Sequence, residues 1–126
     1  MPNAKSAVHW FEIFVTDLER AIRFYQSTLG VDLRREPQGP MATALFPYDR
    51  GSGVGGSLVA DPARAGTGGT LVYLDADGKL DACLDRAVKA GGAVVLAKTD
   101  IGDPGFIAAI RDTEGNVVGL HSERRG

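Results

Sequence analysis

Two kinds of residue in this chain invite chemistry by their scarcity and their setting. Glu12 stands inside the aromatic run Trp10-Phe11-Glu12-Ile13-Phe14, where burying a carboxylate is costly unless it has a partner or a task. Histidine occurs only twice, as His9 and His121, and imidazole is the side chain that exchanges a proton near neutral pH. A carboxylate and an imidazole brought into one apolar setting could do general acid–base work, hold a metal in a sparse site, or orient a ligand. Plainer readings stand beside these. Glu12 would pair with an arginine or face solvent, His121 would close a strand end, and His9 would serve structure at the start of its strand.

Other chemistries are poorly supplied. Cys83 is the only cysteine, so neither an intrachain disulfide nor a Cys-rich zinc site is open to the chain. It lies on a helical stripe with Leu80 and Leu84 and reads as a buried thiol rather than a nucleophile, in keeping with a reducing cytoplasm. No G-x-S-x-G elbow occurs, and a hydrolase triad would need one of the two histidines. Gly51-Ser52-Gly53-Val54-Gly55-Gly56 lacks the strand before and helix after that a nucleotide loop requires. It reads instead as a turn entering a strand whose missing side chains leave space for a ligand. Residues 98–106, rich in Gly and Pro, read as a hairpin loop, with Phe106 either a gate or ordinary core.

Charge and hydropathy narrow the partners. Lys+Arg number 14 against 16 Asp+Glu, a formal net charge of −2, which makes a poor nucleic-acid binder by bulk electrostatics. Glu123, Arg124 and Arg125 form only a short mixed-charge tail. No apolar run approaches the ~20 residues needed to span a bilayer, and the polar start Met1–Ser6 lacks the apolar stretch of a signal peptide.

The elements that would position these residues come in two similar rounds. His9 to Val15 is apolar and aromatic, as in a strand. Thr16-Asp17-Leu18-Glu19 fits a capping box with Thr16 as N-cap. Leu18, Ala21, Ile22, Tyr25 and Leu29 follow at helical spacing, and Gly30 ends the helix. Strands at 31–36, 41–47 and 53–60 come next, with a turn at Tyr48-Asp49-Arg50-Gly51. The order then repeats: a strand over 70–76, a helical stripe of Leu80, Cys83, Leu84, Ala87 and Val88 ended by Gly91-Gly92, and strands at 93–98, 105–111 and 116–121. Asp112-Thr113-Glu114-Gly115 is the last hairpin turn. The spacing predicts a βαβββ module over about 7–60, a linker over 61–69, and a second module over about 70–121. Neither half alone would build much of a core.

Three stretches, IFVTDLERAIRFYQSTLG, LVYLDADGKLDACLDRAVKAGG and IRDTEGNVVGLHS, resemble in order the signatures of the vicinal oxygen chelate superfamily, which includes glyoxalase I, extradiol dioxygenases and bleomycin-binding proteins. The resemblance covers nearly the whole chain. It implies an α+β fold of two tandem βαβββ modules whose curved sheets enclose a cleft, and a homodimer. It also implies one divalent metal, held by His and Glu from four strands and chelated by two adjacent substrate oxygens.

Counted onto this chain, the ligand positions fall on Trp10, Leu71, Gly119 and a residue near Gly55, none a strong ligand. The usual metal set is therefore expected to be lost, so no metal residue is assigned. A slip of one residue would rescue His9 but send it to the other sheet face. Strand alternation puts Trp10, Glu12 and Phe14 on the cleft face, with Leu71, Tyr73 and Asp75 on the matching face of the second half and Gly119 with His121 on the last strand.

Glu12 and His121, each two residues past a vacated position, are the candidate catalytic groups. Trp10, Phe14, Tyr73 and Asp75 are the candidate ligand contacts, although Trp10 and Tyr73 read equally as core and Asp75 as a turn residue. The expected function is to act on or bind a small oxygenated molecule, with a divalent metal only at a displaced site. A metal-free binder of an aromatic or antibiotic-like ligand and a non-catalytic dimeric scaffold remain as alternatives. No nucleic-acid or membrane partner is expected.

Overall fold

A computed structural model of the chain describes residues 6–38 and 40–124, with 37 and 38 by backbone alone. The polar start at 1–5 and Arg125 of the tail lie outside the described residues. The expected order appears twice. The first round is β1 (Val8–Val15), α1 (Leu18–Leu29), β2 (Arg34–Gln38), β3 (Met41–Leu45) and β4 (Gly55–Ala60). The second is β5 (Thr70–Asp75), α2 (Leu80–Lys89), β6 (Ala93–Asp100), β7 (Phe106–Arg111) and β8 (Val117–Ser122). The chain is thus α+β with βαβββ repeated. By compactness it divides into two units: Trp10–Leu71, and Val72 onward together with the residues up to His9.

In the Trp10–Leu71 unit the strand order is β2-β3-β4-β1. β1 runs parallel to β4, setting Trp10 beside Gly55, Glu12 beside Ser57 and Phe14 beside Val59. One sheet face meets α1. There Ile22, Ala44 and Leu58 are buried, with Ile13, Val15, Leu18, Ala21, Tyr25 and Phe46 packed round them. Because side chains alternate along a strand, Trp10, Glu12, Phe14, Ser57 and Val59 take the opposite face. Leu29, on the expected stripe, is instead 56% exposed.

The α1 N-cap is Asp17, not Thr16. The Asp17 carbonyl already accepts the first helical bond, from Ala21 N–H, and its side chain accepts from Arg20 N–H at 3.1 Å. Glu19, one place short of a capping-box partner, pairs with Arg35. Gly30 ends the helix in the left-handed region, φ 69°, as expected. The segment after it is held by the Gln26 side chain, whose Oε1 accepts Leu33 N–H at 2.9 Å, so β2 starts three residues later than expected.

The connection 61–69 is tied down at both ends. Asp61 N–H donates to Val15 O and Phe14 N–H to Gly69 O, and the Arg64 guanidinium lies 3.9 Å from the centre of the Phe14 ring. Phe14 is thereby buried under its own linker.

In the other unit the order is β5-β8-β7-β6, with β5 parallel to β8 so that Tyr73 neighbours Gly119 and Asp75 neighbours His121. The face toward α2 buries Ala76, Leu80, Ala108 and Leu120, and Cys83, Leu84, Phe106 and Ile110 pack against them. Phe106 is thus a core flank whose ring also meets the Lys98 and Arg124 cations. Val88, expected on the packed stripe, is 54% exposed. Edge strand β6 carries two register irregularities.

Candidate functional site

The residues with chemical potential gather mainly around His121. It projects from β8 opposite the α2 face, since its neighbour Leu120 packs toward that helix. Its Nδ1 lies 2.8 Å from His9 Nδ1, the two rings crossing at 74°. Its Nε2 lies 2.6 Å from the Pro104 carbonyl oxygen. That carbonyl is positioned by the 101–105 turn, where Ile101 N–H donates to Gly105 O. Gly105 sits at φ 114°, and a Cβ there would collide with the Ser122 backbone, so the turn closes on β8 only with glycine.

Two carboxylates complete the group. His9 Nε2 lies 3.3 Å from Asp75 Oδ1 and 3.6 Å from Asp77 Oδ2. Asp75 Oδ1 accepts Asp77 N–H at 2.9 Å, shaping the turn out of β5. Asp77 Oδ1 accepts Glu123 N–H at 2.8 Å, so one oxygen is anchored and the other turned toward the imidazoles. One ligand-capable atom from each of His9, Asp77 and His121 falls within 4.8 Å of the others. Two imidazoles and a carboxylate are a donor set suited to a borderline divalent metal.

Glu12, Trp10 and Phe14 belong to the Trp10–Leu71 unit. Glu12 and Trp10 share the face of the Trp10–Leu71 unit that turns away from α1, and Trp10 meets Tyr48 edge-on with ring centres 5.6 Å apart. Beside Glu12, the Ser57 hydroxyl is wholly buried and has no hydrogen-bond partner among the described residues.

The glycines at two of the expected ligand positions are covered. A Cβ on Gly55 would collide with the Tyr48 ring, and one on Gly119 with the Tyr73 ring. The same device, an aromatic ring laid on a bare Cα, thus recurs in both units. The space read as open near Gly55 is filled by Tyr48.

Asp75 and His121 are brought together as strand neighbours, and Tyr73 stands over Gly119. Phe14 is covered by Arg64. His121 is engaged through both ring nitrogens, by His9 and by Pro104. The residues that the sequence left out of the site are His9, read as structural, and Asp77, which nothing in the sequence singled out. The scarcity of histidine was the one available signal, since 112 positions separate the pair and no local spacing connects them. A hollow of about 400 Å³ at the α2 N-terminus, bordered by Lys79, Lys98 and Arg124, contains none of the expected site residues.

Residues 7–120 match the family model described as Glyoxalase/Bleomycin resistance protein/Dioxygenase superfamily. Over 121 residues the chain is 30% identical to proteins of Mycobacterium bovis and Mycobacterium tuberculosis named "Putative glyoxylase CFP32". The match takes in 93% of this chain but 46% of theirs, so the chain spans about half the length of these relatives. Among solved structures, methylmalonyl-CoA epimerase of Mycobacterium tuberculosis superposes with TM-score 0.64 at 20% identity, covering 97% of this chain and 93% of that one. A glyoxalase I mutant of Zea mays gives TM-score 0.63 at 22% identity, covering 94% and 44% respectively. At these identities the solved structures speak for the fold.

Proposed function

This chain belongs to the Glyoxalase/Bleomycin resistance protein/Dioxygenase superfamily, and from that premise we propose that it binds a small oxygenated molecule without a metal at the family's usual position. The observation that carries this reading is the pair of tyrosine rings over Gly55 and Gly119. Each glycine stands where the resemblance expects a metal ligand, and the first atom of any side chain there would meet a tyrosine ring, so neither position supplies a donor for the ion.

The Trp10–Leu71 unit supplies the binding groups. Trp10 and Tyr48 present aromatic edges and faces, which suit a flat or partly apolar ligand. Glu12 supplies a carboxylate that accepts from a ligand hydroxyl. The Ser57 hydroxyl beside Glu12 is wholly buried with no partner among the described residues, so it lies beneath this face and not on it. If turnover accompanies binding, Glu12, a carboxylate on the same face as Trp10, is the acid–base residue of this reading.

Two copies of the chain pair in this reading. Edge strand β6 leaves Val94, Val95 and Leu96 each 41–49% exposed, an apolar edge of the kind that recruits another chain. Among the described residues no helix is long and apolar enough to cross a membrane.

Trp10 is the only tryptophan, so its fluorescence tests the proposal directly. Chelator-treated protein is titrated with 2-oxo acids, 1,2-diols and aromatic antibiotics. Saturable quenching that survives the chelator and weakens in Glu12→Gln supports the reading. Binding that appears only after a metal is restored would defeat it.

A further inference from the structure

We propose that His9, His121 and Asp77 form a binding site for one borderline first-row divalent cation such as Zn(II), distinct from the family's usual metal position and sharing no residue with the ligand face described above. The argument begins with hydrogen-bond polarity. A carbonyl oxygen only accepts, so the 2.6 Å contact with Pro104 O requires His121 Nε2 to carry the hydrogen. Carboxylate oxygens likewise only accept, so Asp75 Oδ1, 3.3 Å from His9 Nε2, favours the hydrogen of His9 on that nitrogen. In each neutral ring the lone pair then resides on Nδ1. Those two Nδ1 atoms face each other at 2.8 Å.

Two lone pairs at that separation repel, and a positive centre between them removes the conflict. A single proton is one such centre and a metal cation is the other. Three features favour the metal. Each imidazole has an acceptor behind its far nitrogen, a carbonyl for His121 and a carboxylate for His9, and such outer partners fix the tautomer and orientation of metal-bound histidines. A third ligand is close by: Asp77 Oδ1 is anchored by Glu123 N–H, one ligand atom of Asp77 lies within 4.8 Å of one from each imidazole, and Oδ2 swings from its place 3.6 Å from His9 Nε2 to reach an ion at the pair. Finally, the Asp77 side chain is 39% exposed, which gives an ion an entry path and leaves water to complete the coordination. A metal at ~2.1 Å from each nitrogen in a tetrahedral array would hold them roughly 3.4 Å apart, so the two rings must part by about 0.6 Å from their 2.8 Å contact to admit it.

The direct test needs no variant. Zinc chloride is added to chelator-stripped protein, and the imidazole nitrogens are followed by long-range ¹⁵N–¹H NMR. One equivalent should move the Nδ1 signals of both histidines while both Nε2 atoms keep their hydrogens. Calorimetry should give one site per chain, and Co(II) should develop visible absorption of low-coordinate character. Asp77→Asn and His9→Gln should each weaken zinc by at least ~10-fold, and Asp75→Asn, which touches only the outer partner, by ~10–100-fold. Far-UV circular dichroism confirms that each variant is folded. Absence of saturable uptake by the wild type, movement of Nε2 in place of Nδ1, or equal affinity in His9→Gln would overturn the site. None of these results bears on the chelator-independent quenching of Trp10, so the two proposals fail separately.

Discussion

The ring of Tyr73 lies flat against the bare Cα of Gly119, its neighbour in register on the parallel strand β8, and leaves no room for a Cβ. Gly119→Ala must therefore displace the ring or bend the strand, an overpacking cost of about 1–3 kcal/mol. The coupling is pairwise: in Tyr73→Ala the same glycine substitution should cost much less, and a double-mutant cycle by urea unfolding measures the difference. Equal costs in both backgrounds would mean that the ring does not occupy this space.

Ser57 gives the opposite sign. Its hydroxyl is buried without a partner among the described residues, so Ser57→Ala removes an unsatisfied polar group and should raise ligand-free stability by about 1 kcal/mol. Urea unfolding of the wild type and the variant reads the effect. A loss of stability in Ser57→Ala would show that the hydroxyl already has a partner.

The start of α1 separates two readings one residue apart. Thr16-Asp17-Leu18-Glu19 reads as a capping box beginning at Thr16, yet the cap is Asp17, with Arg20 N–H on its carboxylate. Asp17→Ala should cost about 0.5–2 kcal/mol, whereas Thr16→Ala should be nearly neutral. Thermal or urea unfolding of the two variants decides between them, and the reverse order would restore the sequence reading.

Much else in the fold was legible because it depends on local pattern. Leu18, Ala21 and Ile22 announce α1, Leu80 and Leu84 announce α2, and Gly30 announces the helix end, all from spacing and backbone preference. What escaped the sequence depends on side chains meeting at a distance. The late start of β2 follows from Gln26 reaching Leu33, and the burial of Phe14 follows from Arg64 folding over it. The site divides the same way. Alternation along β1 assigns Glu12 and Trp10 to the face away from α1, but it cannot show that His9 meets His121 or that Pro104 offers its carbonyl to the same ring. Register alone could not show that Tyr48 would cover Gly55.

The last hairpin should be sensitive to acid. Asp112 accepts from the backbone N–H of Asn116 and of Glu114, both at 2.9 Å. The Asn116 backbone bond foremost, aided by Glu114 and the Asn116 amide and opposed by partial desolvation, holds the carboxyl below its ordinary value of 3.8. A carboxylate whose folded value is depressed contributes stability that is complete above the unfolded value and lost as pH falls through the folded one. The urea midpoint should thus be flat with respect to this group above about pH 5 and decline below the ordinary aspartate range. Asp112→Asn should shallow that decline, and an unchanged acid limb would argue that the turn does not depend on the charge.

Association of two copies is tested at β6. Its run Ala93-Val94-Val95-Leu96-Ala97 is exposed on the edge of its sheet, and Lys98 is the first charge along it. Edge strands that avoid pairing carry an inward charge, a proline or a bulge; this run has neither charge nor proline, and its irregularity at Val94–Leu96 is the one such device it holds. Sedimentation at micromolar concentration should show a dimer. Val95→Lys puts a charge in the middle of the edge and should shift the protein to monomer, with little change in urea midpoint when read at a concentration where the wild type is also monomeric, because Val95 is 49% exposed there. A wild type that sediments as a monomer would remove β6 as an interface. A dimer untouched by Val95→Lys would locate the contact on another surface.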